Sequence, residues 1–180
     1  MTLIPYLKRT ALLLWLAAIP SLAADDPAAA PGDKTLPMPG EALKFGGRDA
    51  FIIAPPDAAD GSKDVPWVWY APTLSGLPSA AEKWMFEKFL AEGIAIAGID
   101  VGESYGSPDG CAAYSAFYRY LTGQRGFRAK PCLLARSRGG LMLYNWAAEN
   151  PGKVGGIAGI YPVGNLKSYP VSRAPAGPTD

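Results

Sequence analysis

Residues 131–151 read PCLLARSRGGLMLYNWAAENP, and the way this stretch turns decides the fold. Pro131 to Ala135 is a short apolar run of the kind that forms a buried strand, and Gly139 to Glu149 carries the pattern of an amphipathic helix. Only Arg136, Ser137 and Arg138 separate the two, so the chain must reverse sharply and present the Ser137 side chain at the carboxyl edge of a sheet. Small residues are needed around such a serine, because the backbone doubles back and the serine takes strained angles. Ala135 and Gly139 meet that need, giving A-x-S-x-G in place of G-x-S-x-G. A serine ahead of a helix is also a common N-cap. The strand-turn-helix setting favours the elbow.

Working outward, the alternation recurs. Ala50 to Ala54 is a short apolar strand, stopped by Pro55 and Pro56 and expected to form a hairpin with what precedes it; Asp57 to Asp64 is a polar turn. Trp67 to Ala71 is an aromatic and β-branched strand broken by Pro72, and Ser79 caps a helix carrying Trp84, Met85, Phe89 and Leu90 at helical spacing. Gly93 to Ile99 is a wholly apolar strand ending at Asp100, with a glycine-rich loop over residues 102–108 behind it. Ala112 to Leu121 reads as a helix and Val154 to Ile160 as a further strand. Continuous apolar strands separated by helices predict an α/β fold, a mostly parallel sheet with helices on both faces. Right-handed crossovers then bring the loops to one sheet edge, where ligands bind in folds of this kind. Trp67, Trp69, Trp84 and Trp146 are expected in the core or its cover.

A chain of 180 residues, 49% of them apolar, has room for one compact domain. Its 17 basic and 16 acidic residues are spread along the chain for a net charge of +1, so no electrostatic footprint for nucleic acid or an anionic membrane is present. Nothing in the sequence marks a cofactor or a metal site, and histidine, the commonest metal ligand, does not occur.

Residues 1–24 read as a secretory signal peptide: Lys8 and Arg9, an apolar run from Thr10 to Pro20, and small residues at Ser21 and Ala23, with cleavage after Ala23 or Ala24. The apolar run is short of the ~20 residues that span a bilayer, so a secreted or periplasmic chain without a stable membrane anchor is expected. Residues 25–44 are expected to be a flexible lead, since 25–40 are dense in alanine, proline and aspartate. The tail from Val171 to Asp180 shifts to proline, glycine and small residues and does not continue the domain. Export permits a disulfide between Cys111 and Cys132, but no spacing brings them together and free thiols are favoured.

Together with the elbow, the segments WVWYAPTL (67–74), GIAIAGIDVGESYG (93–106) and GIAGIYPVGNLKSYP (156–170) resemble the α/β-hydrolase family, close to its exported esterase, dienelactone hydrolase and prolyl oligopeptidase-like group. The likeness runs from Pro66 to Pro170, and the elbow is its specific part. It implies a partial α/β-hydrolase fold over residues 45–170, with Ser137 as nucleophile toward a small-molecule carboxylic ester or related acyl bond. It also implies an oxyanion hole made by the backbone N–H of Arg138 and a second N–H after Ala71. Pro72 has none, so Thr73, or Leu74 as the alternative, must supply it. Each such donor is worth about 3 kcal/mol to the transition state. Glu103 and Tyr105 are expected to line the cleft and contact substrate. One of Arg136 and Arg138 could bind a substrate carboxylate, or both are solvated or paired with Glu103 or Asp100, the second being favoured.

The same resemblance exposes a gap. A serine hydroxyl needs a base to take its proton, and in this family that base is a histidine placed late in the chain, after an Asp or Glu. Here there is no histidine, and the carboxylates after Ser137 are Glu149, inside the helix, and Asp180. Three readings stay open: a chain cut short of its C-terminal strands, a pseudoenzyme that binds a ligand or partner without turnover, and a lysine base drawn from Lys130, Lys153 and Lys167. Truncation is favoured, because it alone covers the missing histidine, the missing acid, the length and the altered tail. It leaves Val154 to Ile160 as an exposed edge strand open to self-association.

Overall fold

The computed structural model describes residues 27–58 and 64–168. The signal segment 1–24, the tail 171–180 and residues 59–63 of the polar turn lie outside the described residues. Among the described residues there are seven strands: β1 (Ala29–Pro31), β2 (Glu41–Phe45), β3 (Arg48–Ile53), β4 (Trp67–Ala71), β5 (Ala95–Ile99), β6 (Cys132–Arg136) and β7 (Gly156–Ile160). They form one sheet in the order β1-β2-β3-β5-β4-β6-β7. Pairing is antiparallel from β1 through β5 and parallel across β5, β4, β6 and β7. Three helices connect the parallel strands: α1 (Lys83–Ala91), α2 (Pro108–Gln124) and α3 (Gly139–Glu149). The alternation read from the sequence is therefore present, with α2 longer at both ends than its apolar pattern indicated.

Each face of the sheet has its own core. α2 and α3 pack on one side, where Trp69 meets Tyr114, Phe117 and Trp146 at ring-centroid distances of 5.2, 6.4 and 4.8 Å. On the other side Phe86 of α1 covers Tyr70, Phe51 and Ile96, helped by Leu36 and Met38. The 3-10 turn Ala80–Glu82 that leads into α1 is fixed by a capping box, in which the Ser79 hydroxyl accepts from the Ala81 N–H and the Glu82 carboxylate accepts from the Ser79 N–H.

The sequence reading is corrected at three places. Part of the segment expected to be a flexible lead is in the sheet, because β1 and β2 pair in register with each other and β2 with β3. A strand of three residues gains its order from such a partner, which a local composition argument cannot see. Trp84, expected in the core or its cover, is 71% exposed, with Lys88 Nζ 5.9 Å above its ring. Cys111 and Cys132 are free thiols packed on opposite faces of the sheet, which keeps them apart.

Candidate functional site

Ser137 follows β6 directly and sits at φ 49°, in the left-handed region that a non-glycine residue enters only when its surroundings hold it there. Those surroundings are main-chain bonds. The Ser137 N–H donates to Ile160 O at 3.0 Å, while Ser137 O accepts from Gly140 N–H at 3.0 Å and Val163 N–H at 2.7 Å. The segment after β7 thus clamps the turn on both sides of the serine. Among the described residues the Ser137 hydroxyl has no hydrogen-bond partner, and no side chain caps the start of α3. Ser137 accordingly sits in the turn between β6 and α3, and the N-cap of α3 is Arg138.

Two glycines let the elbow close. A Cβ on Gly139 would clash with Ala71 O and stand 2.7 Å from Pro72 N, and one on Gly140 would clash with Val163 O. The first turn of α3 therefore rests directly on the end of β4 and on the segment after β7. β4 and β6 run parallel with Ala71 opposite Ala135, and Thr73 follows two residues beyond the end of β4, its methyl group lying against Gly98 of β5. Thr73 is 2% exposed, and its N–H donates to no group among the described residues. Arg138, the other expected donor, occupies the N-cap of α3.

The two arginines around Ser137 point to different sides. Arg138 pairs with Glu103 on the loop after β5, as the favoured reading anticipated. Arg136 does not reach Glu103 or Asp100. Strand alternation turns it to the α1 face, where it pairs with Glu82, itself 4% exposed, and donates from Nε to the Tyr161 hydroxyl at 2.9 Å. Burial pushes the neighbouring Tyr70 phenol well above its ordinary range. Asp100 turns onto its own loop, where its carboxylate accepts from Gly102 N–H at 2.7 Å. Glu103 and Tyr105 share the loop after β5, Tyr105 at φ 49° with its carbonyl accepting from Asn145 at 3.4 Å.

Of the lysines considered as a base, Lys130 precedes β6 while Ser137 follows it, so a strand's length of roughly 20 Å separates their backbones. Lys153 sits ahead of β7 at that same far edge, bonded to Asn150 Oδ1 at 2.8 Å and lying over the Tyr118 ring. Lys167 is on the exposed turn Leu166–Ser168, beyond β7. A different lysine reaches the correct edge. Lys34, between β1 and β2, donates to Thr73 O at 2.9 Å and Leu74 O at 3.1 Å, and burial lowers its pKa below the ordinary 10.5. No local pattern signals it, because the contact spans 39 residues and starts in a segment without an apolar period. The role of Glu82 was half visible, since the spacing of Ser79 and Glu82 signals a capping box but not an ion pair to Arg136.

No protein-family model matches the chain, and no curated protein does. Solved structures do resemble it. One of two prolyl endopeptidases superposes with a TM-score of 0.51 at 15% identity, over 69% of this chain and 21% of that one. A cold-adapted esterase from an Arctic intertidal metagenomic library gives a TM-score of 0.49 at 18% identity, over 67% of this chain and 58% of its own. Est1E from Butyrivibrio proteoclasticus gives 0.49 at 14% identity, over 66% and 48%. The chain thus spans about half the length of the two esterases and about a fifth of the endopeptidase.

Proposed function

From a chain with the α/β-hydrolase fold, we propose that these residues carry the nucleophile and oxyanion-binding part of a serine hydrolase acting on a carboxylic ester or related acyl bond. The observation that carries the proposal is Ser137 itself, held at φ 49° between β6 and α3 with an unpartnered hydroxyl. In this reading Ser137 Oγ attacks the acyl carbon as its proton passes to a base. The N–H groups of Thr73 and Arg138 receive the charge that develops on the carbonyl oxygen. The leaving alkoxide or amine departs with the proton, and water then hydrolyses the acyl-serine. Glu103 and Tyr105 border the acyl-binding cleft. An exported chain, secreted or periplasmic, whose β7 edge associates with another copy completes the proposal.

The base is not a histidine of this chain, which has none. That observation favours a second reading, a catalytically silent protein that keeps the cleft and binds an acyl compound or a partner without turnover. A fluorophosphonate probe separates the two. The expected result is labelling that disappears in Ser137→Ala and accelerates when imidazole is added as an external base. A folded sample that stays unlabelled with imidazole present, yet binds a chromogenic ester without cleaving it, overturns the hydrolase reading in favour of the silent one.

A further inference from the structure

We propose that Lys34 is a positioning residue for the loop after β4, holding the two peptide planes that follow Thr73 and so restricting, through the Thr73 Cα, the preceding plane that carries the Thr73 N–H. The inference rests on the reading of Thr73 as an oxyanion donor. Its basis is the way the loop after β4 is tied down. From one side the first turn of α3 presses on Ala71 and Pro72, with no Cβ at Gly139 to hold it off. Further along, Leu77 N–H donates to Leu74 O at 2.9 Å. Thr73 lies between these anchors and has no side-chain tie, because its buried hydroxyl finds no partner among the described residues. Its carbonyl accepts from the Lys34 ammonium, which donates at the same time to Leu74 O.

The chemistry suits the task. An ammonium carries three donors on a flexible stem, so it can satisfy two adjacent carbonyls that point the same way. Charge-assisted bonds of this kind are roughly twice as strong as neutral ones. The half-buried site lowers the lysine pKa, with Lys44 adding to the effect of burial and Asp100 and Asp49 opposing it. Deprotonation would weaken both bonds and loosen the Thr73–Leu74 and Leu74–Ser75 peptide planes, and with them the Thr73 backbone. The N-terminal segment is thereby coupled to the loop that carries the Thr73 N–H.

Carbonyl and amide NMR of the labelled full chain tests the coupling. As pH rises from 7 to 11, the carbonyl signals of Thr73 and Leu74 and the Thr73 amide are expected to move together, with one midpoint below 10.5. Lys34→Met removes that titration and displaces the Thr73 amide; Lys34→Arg keeps the amide near its original position. A Thr73 amide that is unmoved by pH in the unsubstituted chain overturns the proposal, as does an unmoved amide in Lys34→Met. Should Lys34→Met fail to fold, the unsubstituted titration and Lys34→Arg decide the matter. Probe labelling of Ser137 is read separately, so failure of the hydrolase reading and failure of this one are distinguishable.

Discussion

β4 and β7 are both five-residue parallel strands without a charged residue, WVWYA and GIAGI, and their surroundings differ completely. Every residue of β4 is buried, between β5 and β6 in the sheet and between α1 and the α2–α3 layer above and below it. Among the described residues β7 has β6 on one side only, and its three central residues are exposed, Ile157 at 57%. An apolar run reports that a strand is built to be covered; its rank in the sheet determines whether it is. Ile157 also shows that a helix layer does not reach everywhere. It shares a face with its register partner Leu133, which α3 buries, yet it remains open.

Paired truncations test the contrast at its widest. Trp69→Ala removes a fully buried ring from the centre of an aromatic cluster and is expected to cost about 3–5 kcal/mol in urea denaturation. Ile157→Ala, at an exposed site, should stay within about 0.5 kcal/mol. If Ile157→Ala costs several kcal/mol as well, β7 is covered in solution and the contrast between the strands collapses.

The ion pairs on either side of Ser137 repeat the contrast on a smaller scale. Glu82 is 4% exposed and its partner Arg136 is 25% exposed, whereas Arg138 and Glu103 are 32% and 41% exposed. Removing one partner of a fully buried pair costs about 3–5 kcal/mol; with Arg136 partly wet, about 2 kcal/mol is expected for Glu82→Gln. Glu103→Gln should cost less than about 1 kcal/mol. Thermal or urea melts of the two variants check the order, and equal losses would mean that the Arg138–Glu103 pair is as deeply enclosed as its counterpart.

These differences also mark the limit of what the sequence discloses. The alternation from Trp67 to Ile160 was legible because each element carries its own period, and Ser137 was legible because an elbow needs small residues at fixed offsets. Leu43 and Phe45 point inward while Ala42 and Lys44 lie less buried between them, a two-residue period that offered a readable signal for β2. No such signal exists for β1, whose order comes from register against β2. The placement of β5 between β3 and β4 was equally hidden, as were the partners of Lys34 and Arg136. Each depends on contacts between residues far apart in the chain, and no local period encodes them.

The smallest change in stability belongs to the β7 edge, where Ile157→Lys should alter the melting of the isolated chain by no more than about 0.5 kcal/mol. Its effect on association should be far larger. A short uncharged edge strand offers unpaired N–H and C=O groups to any matching strand, and a lysine there is a common natural way of blocking such pairing. Analytical ultracentrifugation is expected to find the unsubstituted chain associating as concentration rises and Ile157→Lys remaining monomeric. A chain that is monomeric without the substitution and melts cooperatively would sink the self-association proposal. An exposed apolar strand would then be tolerable here because five residues, two of them glycine, form too weak a template, and the contrast between β4 and β7 would concern burial alone.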